Sequence, residues 1–185
     1  MKKKTEKCKK NMKKCKLNLD IADNRWEKEI PDIAELSEKV KKQAFSYAFD
    51  NDSETHEILN AYDFAVNVRL SNDVEVQHLN KEFRGMDKPT NVLSFANLDF
   101  ENFKADPEDP ETELGDIIIA FETMQKEAKI ENISLKAHYC HLLTHGFLHI
   151  LGFDHIEDDE AEYMESFEVA ILAELGIENP YKDEE

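Results

Sequence analysis

Two stretches of the chain alternate apolar and polar residues, and this pattern predicts β-strands with one buried face. They are LNLDIAD (17–23) and FAVNVRL (64–70). NVLSF (91–95) predicts a third, shorter strand, and the apolar run DIIIAF (116–121) is typical of an interior strand. The acidic, proline-containing stretch 106–113 before that run predicts a loop. The chain should therefore contain a small sheet.

Apolar residues elsewhere recur at the three-to-four-residue spacing of a helix. A first helix should begin at Pro31, which suits the first turn. A second should be capped by Ser71 or Asn72 and end near Gly85. The second half of the chain predicts three more helices, which cover roughly 121–130, 134–151 and 157–175.

The order of these elements predicts the fold class. Strands are grouped early and helices late, so we expect an α+β fold, a small mixed sheet packed with about five helices. A chain of 185 residues has the length of one domain. We expect that domain over residues 17–181, between a tail at 1–16 and an acidic end at 182–185.

Charge is distributed unevenly between the tail and the remainder. Residues 1–16 carry nine lysines and one acidic residue, whereas the whole chain has a formal net charge of −18. Such a basic, polar segment is typical of disorder, so we expect a solubilising extension, with an RNA-binding arm as the alternative. The acidic remainder argues against broad, non-specific binding of nucleic acid. Any RNA site must therefore be a local patch.

The composition also bears on the cellular compartment. No apolar run is long enough to cross a bilayer, which predicts a protein without a membrane partner. The three cysteines, Cys8, Cys15 and Cys140, match no zinc or disulfide spacing. We therefore expect a reducing, cytoplasmic location.

The predicted helix over 134–151 carries an unusual set of histidines. His138, His141, His145 and His149 follow one another at steps of three, four and four, so they form one stripe along the helix. The helix is otherwise apolar almost all round, with one charged residue, Lys136, and should lie in the middle of the protein. Four histidines on one line of a buried helix need a shared reason, and a metal ion supplies one.

Three histidines have the spacing of a metal site on this central helix. His145 and His149 lie one turn apart, and Gly152 can end the helix so that His155 returns to them. Three neutral nitrogen ligands leave a fourth tetrahedral position, as in a catalytic zinc site, so we predict one Zn²⁺ per chain. The alternative is that these histidines only form hydrogen bonds in the core. His138 and His141 should support the ligands or pack in the core.

The spacing H-x-x-x-H-x-x-G-x-x-H is that of a class of zinc proteases, with one difference. Those proteases place a glutamate, their general base, directly after the first histidine, where this chain has Gly146. Phosphodiester cleavage relies more on neutralising charge at phosphorus than on such a base. Arg84, flanked by Lys81 and Lys88, is therefore the candidate catalytic cation.

Three segments together resemble the bacterial YbeY family of endoribonucleases, also called rRNA maturation factors. They are HLLTHGFLHILGFDHIEDDEAE, LNKEFRGMDKPTNVLSF and LGDIIIA, and the similarity extends over roughly residues 17–181. The resemblance implies a zinc-dependent endoribonuclease specific for single strands. It implies action in 16S rRNA 3′-end maturation and ribosome quality control. The partners would be single-stranded or ribosomal RNA, the ribosome or its small subunit, and assembly factors.

The resemblance also assigns residues. The family's zinc ligands fall on His145, His149 and His155, and its functionally important arginine falls on Arg84. The family often shows T-D-V-L-S-F-P where this chain has TNVLSFA at 90–96, which questions a catalytic role for the side chain of Asn91.

Three functions compete at this point. The first is a zinc endoribonuclease acting on ribosomal RNA. The second is a zinc metalloprotease, which Gly146 disfavours. The third is a non-catalytic ribosome-assembly factor with a structural zinc, and the open fourth coordination position separates the first from the third.

Overall fold

The fold is α+β, as predicted, with one four-stranded mixed sheet. The computed structural model describes residues 12–97 and 112–181. The strands are β1 (Cys15–Ile21), β2 (Phe64–Ser71), β3 (Val92–Ala96) and β4 (Thr112–Ala120). Their order across the sheet is β1-β2-β4-β3. The first three in this order run parallel, with Leu17 opposite Val66, and β3 pairs antiparallel with β4 at the edge.

Seven helices surround the sheet in the described ranges, two more than the five that we predicted. They are α1 (Arg25–Glu29), α2 (Ile33–Asn51), α3 (Ser53–Leu59), α4 (Asp73–Arg84), α5 (Phe121–Ile130), α6 (Leu135–Ile150) and α7 (Asp158–Glu174). The two additional helices, α1 and α3, have five and seven residues, too few for an apolar stripe to repeat. None of the helices in these ranges combines the length and the apolar character that a membrane span requires.

Two predicted boundaries are wrong. Strand β1 begins at Cys15, inside the predicted tail, because Cys15 already pairs with Phe64 of β2. Strand β4 begins at Thr112, inside the predicted loop 106–113, because Thr112 also pairs with Phe64, from the other side. The other residues of that loop, most of the predicted tail and the predicted acidic end lie outside the described residues.

Helix α6 lies at the centre of the larger layer. It packs against α2, α5 and α7 and against strands β3 and β4. Its side chains Leu143, Phe147 and Leu148 are fully buried there. Helix α4 packs on the opposite face of the sheet, where Val76 and Ile118 belong to a second, smaller core. Strand β3 therefore separates α4 from α6.

Candidate metal centre

Helix α6 begins at a regular cap. The Ser134 side chain accepts a hydrogen bond from the backbone N–H of Ala137 at 3.1 Å, which satisfies one free donor of the first turn. Lys136, in the same turn, forms an ion pair with Asp32 at 2.6 Å. Beyond this first turn, α6 is buried on most of its circumference.

The structure brings His145, His149 and His155 together. Each residue offers one ring nitrogen, and these three nitrogen atoms all lie within 4.8 Å of one another. The Nε2 atoms of His145 and His149 are 3.0 Å apart. His145 and His149 are half-buried and His155 is exposed, so the group opens toward solvent on one side. These three residues could hold a metal ion.

The turn after α6 delivers the third histidine. Gly152 has a φ of 90°, a left-handed conformation that a residue with a side chain rarely adopts. The backbone N–H of Phe153 then returns to the carbonyl oxygen of Leu148 at 3.1 Å. Asp154 accepts a hydrogen bond from the backbone N–H of His155 at 2.8 Å, so its side chain stabilises the turn.

Hydrogen bonds at the far side of two rings direct their other nitrogens toward the centre. Nδ1 of His149 donates to the carbonyl oxygen of Phe153 at 3.0 Å. Nδ1 of His145 donates to a carboxylate oxygen of Glu168 at 2.8 Å. Both acceptors lack a proton to give, so each Nδ1 carries the hydrogen and each Nε2 keeps a lone pair. Lone pairs at Nε2 are what a metal requires.

The electrostatics keep His149 neutral. Burial, together with the neighbouring rings of His145 and His155, lowers the pKa of His149 from 6.5 to about 4. At neutral pH its lone pair is therefore available without loss of a proton.

Glu168, on α7, is a member of this site that the sequence analysis missed. Its side chain is 1% exposed and lies on the apolar face of α7 that also carries Met164 and Ile171. Burial acts to raise its pKa, but hydrogen bonds from His141 and His145 prevail and lower the pKa to about 2. A charged residue at an apolar position of a periodic helix was the signal that could have identified it.

The other two histidines of the stripe point their Nε2 atoms at carboxylates. Nε2 of His138 lies 2.9 Å from Glu127, and Nε2 of His141 lies 2.9 Å from Glu168. Neither belongs to the group that could hold a metal in the described part of the chain. His141 shares Glu168 with His145 and can therefore support a ligand, whereas His138 is buried in the core and pairs with Glu127.

Gly146 lies against the sheet, where a larger side chain would be crowded. A Cβ atom at this position would lie 3.0 Å from two side-chain atoms of Ile117 and 3.2 Å from Oγ of Ser94. Ile117 is 1% exposed and cannot move aside into solvent. The close packing of α6 on β3 and β4 thus disfavours a glutamate at the position of the proteases' general base.

Arg84 is the last residue of α4, a helix that packs on the opposite face of the sheet from α6. Its neighbour Phe83 packs on Phe95 of β3, with ring centroids 5.2 Å apart, whereas Ser94 faces α6. Within residues 12–97 and 112–181, no hydrogen bond or ion pair is formed by the Arg84 guanidinium. Lys81, in contrast, forms an ion pair with Asp87 at 2.6 Å. Arg84 is thus an exposed and uncommitted cation, and the structure does not bring it into contact with the histidines.

Asn91 has a structural role at the start of β3. Its side-chain oxygen accepts from the backbone N–H of Val92 at 2.7 Å, and its amide nitrogen donates to Glu127 at 3.0 Å. An aspartate here would place a second carboxylate beside Glu127. The amide of Asn91 avoids that repulsion.

Comparison with known proteins gives consistent similarities. The family model described as Endoribonuclease YbeY matches residues 20–176. The endoribonuclease YbeY of Rhodospirillum rubrum is 41% identical over 169 residues, which cover 91% of this chain and 82% of that protein. The Sphingopyxis alaskensis protein of the same name is 51% identical over 122 residues, 65% of this chain and 73% of that protein. A solution structure of TM1509 from Thermotoga maritima has 23% identity and a TM-score of 0.48, and the match covers 91% of this chain and 97% of that one.

Proposed function

We propose that zinc-dependent cleavage of ribosomal RNA is the function of this chain, which belongs to the YbeY family of endoribonucleases. The observation that carries the proposal is the convergence of His145, His149 and His155, with two Nε2 atoms only 3.0 Å apart. Two neutral lone pairs held this close, with a third imidazole beside them, form the donor set that zinc prefers in catalytic sites.

The protein's part in the chemistry is to hold and aim these ligands. Zinc bound at the three nitrogens would supply Lewis acidity toward a phosphate oxygen and toward water. Phe153 and Glu168 fix the Nδ1 side of His149 and His145, so both ligands are oriented before any metal binds. The three protein nitrogens leave one tetrahedral position for a reactant, which favours a catalytic over a purely structural site.

Arg84 is the residue that we propose for stabilising charge on the attacked phosphate. Its guanidinium is exposed and has no acidic partner in the described ranges, so an incoming phosphate would meet no competing carboxylate on it. A planar guanidinium can bind two phosphate oxygens at once. Helix α4 ends beside the edge strand β3, and α6 packs against the other face of that strand.

A protease function is disfavoured by packing. The position of the protease glutamate is Gly146, and the contacts with Ile117 and Ser94 would crowd a side chain there. Phosphodiester cleavage relies more on neutralising the charge that develops at the phosphate than on that base.

The biological setting follows from the family. We propose that the substrate is single-stranded ribosomal RNA, that the reaction belongs to 16S rRNA 3′-end maturation and ribosome quality control, and that it takes place in the cytoplasm. The small ribosomal subunit and its assembly factors would then be the partners that present the RNA.

The test is cleavage of labelled single-stranded RNA by the purified full chain. We expect cleavage that a chelator abolishes and that added zinc restores. The matched variant is His149→Ala, which should be inactive with or without zinc. Zinc binding without any cleavage would contradict the proposal and support a non-catalytic assembly factor. Cleavage that survives both the chelator and His149→Ala would exclude the three-histidine centre.

A further inference from the structure

We infer that Glu168 and Tyr181 act together as positioning residues for the metal ligand His145, so that the segment after the last helix controls the metal site. The inference rests on the proposed metal site and goes beyond its three ligands.

The first observation is a carboxylate in the apolar core. Glu168 is 1% exposed and lies on α7 between Phe167 and Ile171 in the main hydrophobic cluster. A buried charge is expensive unless every oxygen has hydrogen-bonding partners. One oxygen accepts from Nδ1 of His145 at 2.8 Å, and the other accepts from Nε2 of His141 at 2.9 Å. The hydroxyl of Tyr181 donates to the second oxygen as well.

These bonds determine what His145 can do. With Nδ1 committed to a carboxylate, the hydrogen of the imidazole stays on that side and Nε2 keeps the lone pair. The negative charge also makes the imidazole a stronger donor and offsets part of the charge of a bound cation. A neutral acceptor at the same place would hold the ring but lose the charge.

The second observation is that the chain returns to this carboxylate after α7. Gly176 has a φ of 75°, and the backbone N–H of Ile177 then bonds to the carbonyl oxygen of Leu172 at 2.9 Å. The turn directs the segment 177–181 back over α7. The Tyr181 ring packs edge-on against His141, with centroids 5.6 Å apart, while its hydroxyl reaches Glu168.

The two oxygens of Glu168 thus have different partners. His141 and Tyr181 hold one oxygen of Glu168, and this leaves the other oxygen fixed in the direction of His145. Without the Tyr181 hydroxyl, one oxygen of Glu168 would keep only the hydrogen bond from His141. The carboxylate would then hold the ring of His145 less firmly, although the three ligands themselves would be unchanged.

The same helix provides a matched control. His138 and Glu127 form a histidine–carboxylate pair at 2.9 Å, but Glu127 is 31% exposed and has no bond to a metal-site histidine. Glu127→Gln is therefore the same chemical change as Glu168→Gln at a pair that does not lead to the metal.

The experiment compares zinc affinity in three full-length variants by competition with a chromophoric chelator. We expect Glu168→Gln to weaken zinc binding by about 10- to 100-fold, the usual effect of removing a partner of a ligating histidine. Tyr181→Phe should cause a smaller loss in the same direction, and Glu127→Gln none. The visible spectrum of the cobalt-substituted protein should shift in Glu168→Gln and Tyr181→Phe only, since it reports ligand geometry.

The outcomes are separable. If the wild-type chain binds no zinc, the proposed function fails before this inference is reached. If wild type binds zinc and Tyr181→Phe and Glu168→Gln match it in affinity and cobalt spectrum, the positioning role is wrong. Equal losses in all three variants, with parallel drops in the melting temperature of the metal-free protein, would also overturn it. If Glu168→Gln does not fold, Tyr181→Phe alone decides, because it leaves the carboxylate in place.

Discussion

The two halves of the histidine stripe on α6 differ in the direction of their ring nitrogens. In the first half, Nε2 of His138 forms a hydrogen bond with the carboxylate of Glu127, and Nε2 of His141 forms one with Glu168. In the second half, Nδ1 of His145 and of His149 donates a hydrogen bond to another part of the chain, and their Nε2 atoms face each other. The comparison shows that spacing brings histidines onto one line, whereas the hydrogen-bond partner decides which of them can bind a metal.

The largest expected effect separates the two halves directly. His149→Ala should lose nearly all of the zinc, because three ligands become two and His145 loses its closest neighbour. His138→Gln, in the first half, should keep one zinc per chain, since its Nε2 already belongs to Glu127. Elemental analysis of both variants, purified without nickel or copper, provides the measurement. Similar zinc content in the two variants would remove the distinction between the halves.

The next effect concerns a glutamate introduced at Gly146, in the second half of the stripe. Gly146→Glu would restore the protease pattern on paper, but the side chain must enter the space of Ile117 and Ser94. We expect a loss of more than about 3 kcal/mol in the free energy of unfolding, from overpacking and a buried, unpaired carboxylate. Urea unfolding followed by circular dichroism measures it. A stable variant that hydrolyses casein would show that packing did not exclude the base.

The positions of the histidines were more predictable from the sequence than their hydrogen-bond partners. The three histidines of the centre lie together as their spacing and Gly152 indicate, because helix geometry and one left-handed turn are local properties. The partners of the stripe come from other elements, and the contact between His145 and Glu168 spans 23 residues. The short helices α1 and α3 were missed for a different reason, since neither is long enough to show a period.

A third effect separates metal binding from chemistry. Arg84→Ala should reduce single-turnover RNA cleavage by about 10²-fold, the scale seen when one donor to a transition-state charge is removed. The zinc content should stay at the wild-type value, because α4 lies across β3 from the histidines. Arg84→Lys should recover part of the rate, since lysine keeps the charge without the planar fork.

The matched control for Arg84 lies one turn earlier on the same helix. Lys81→Ala removes a cation that already pairs with Asp87, so it should change cleavage by less than about twofold. Equal losses in Lys81→Ala and Arg84→Ala would indicate a general electrostatic effect instead of a specific phosphate contact.

The stability of the metal-free protein should depend on pH through His149 and Glu168. The pKa of His149 is lowered from 6.5 to about 4 in the folded protein. Between these two pH values the imidazole is protonated in the unfolded chain and neutral in the folded one. Stability should therefore fall as the pH falls through that window. The pKa of Glu168 is lowered from 4.5 to about 2. The stability that this carboxylate contributes is therefore fully present above pH 4.5 and is lost as the pH falls from 4.5 toward 2. Melting temperatures at pH 7, 5.5 and 4 check the first part, and His149→Phe should flatten the slope between them.

The smallest effect concerns the remaining metal-binding residue type on α6. Cys140 lies in the first half of the stripe in sequence, between His138 and His141, but is buried, and burial raises the pKa of its thiol to about 12. Zinc binds the thiolate, so a thiol that stays protonated at neutral pH in the core is not a competing ligand. We expect Cys140→Ala to keep one zinc per chain and the wild-type rate of cleavage. In the native wild-type protein, the peptide that contains Cys140 should escape alkylation by iodoacetamide at pH 8 and become labelled only in denaturant. Loss of zinc in Cys140→Ala would mean that the thiol takes part in metal binding, and rapid labelling of the native thiol would mean that α6 opens enough to expose its buried side. In either case the contrast between the two halves of the stripe would not describe the protein in solution.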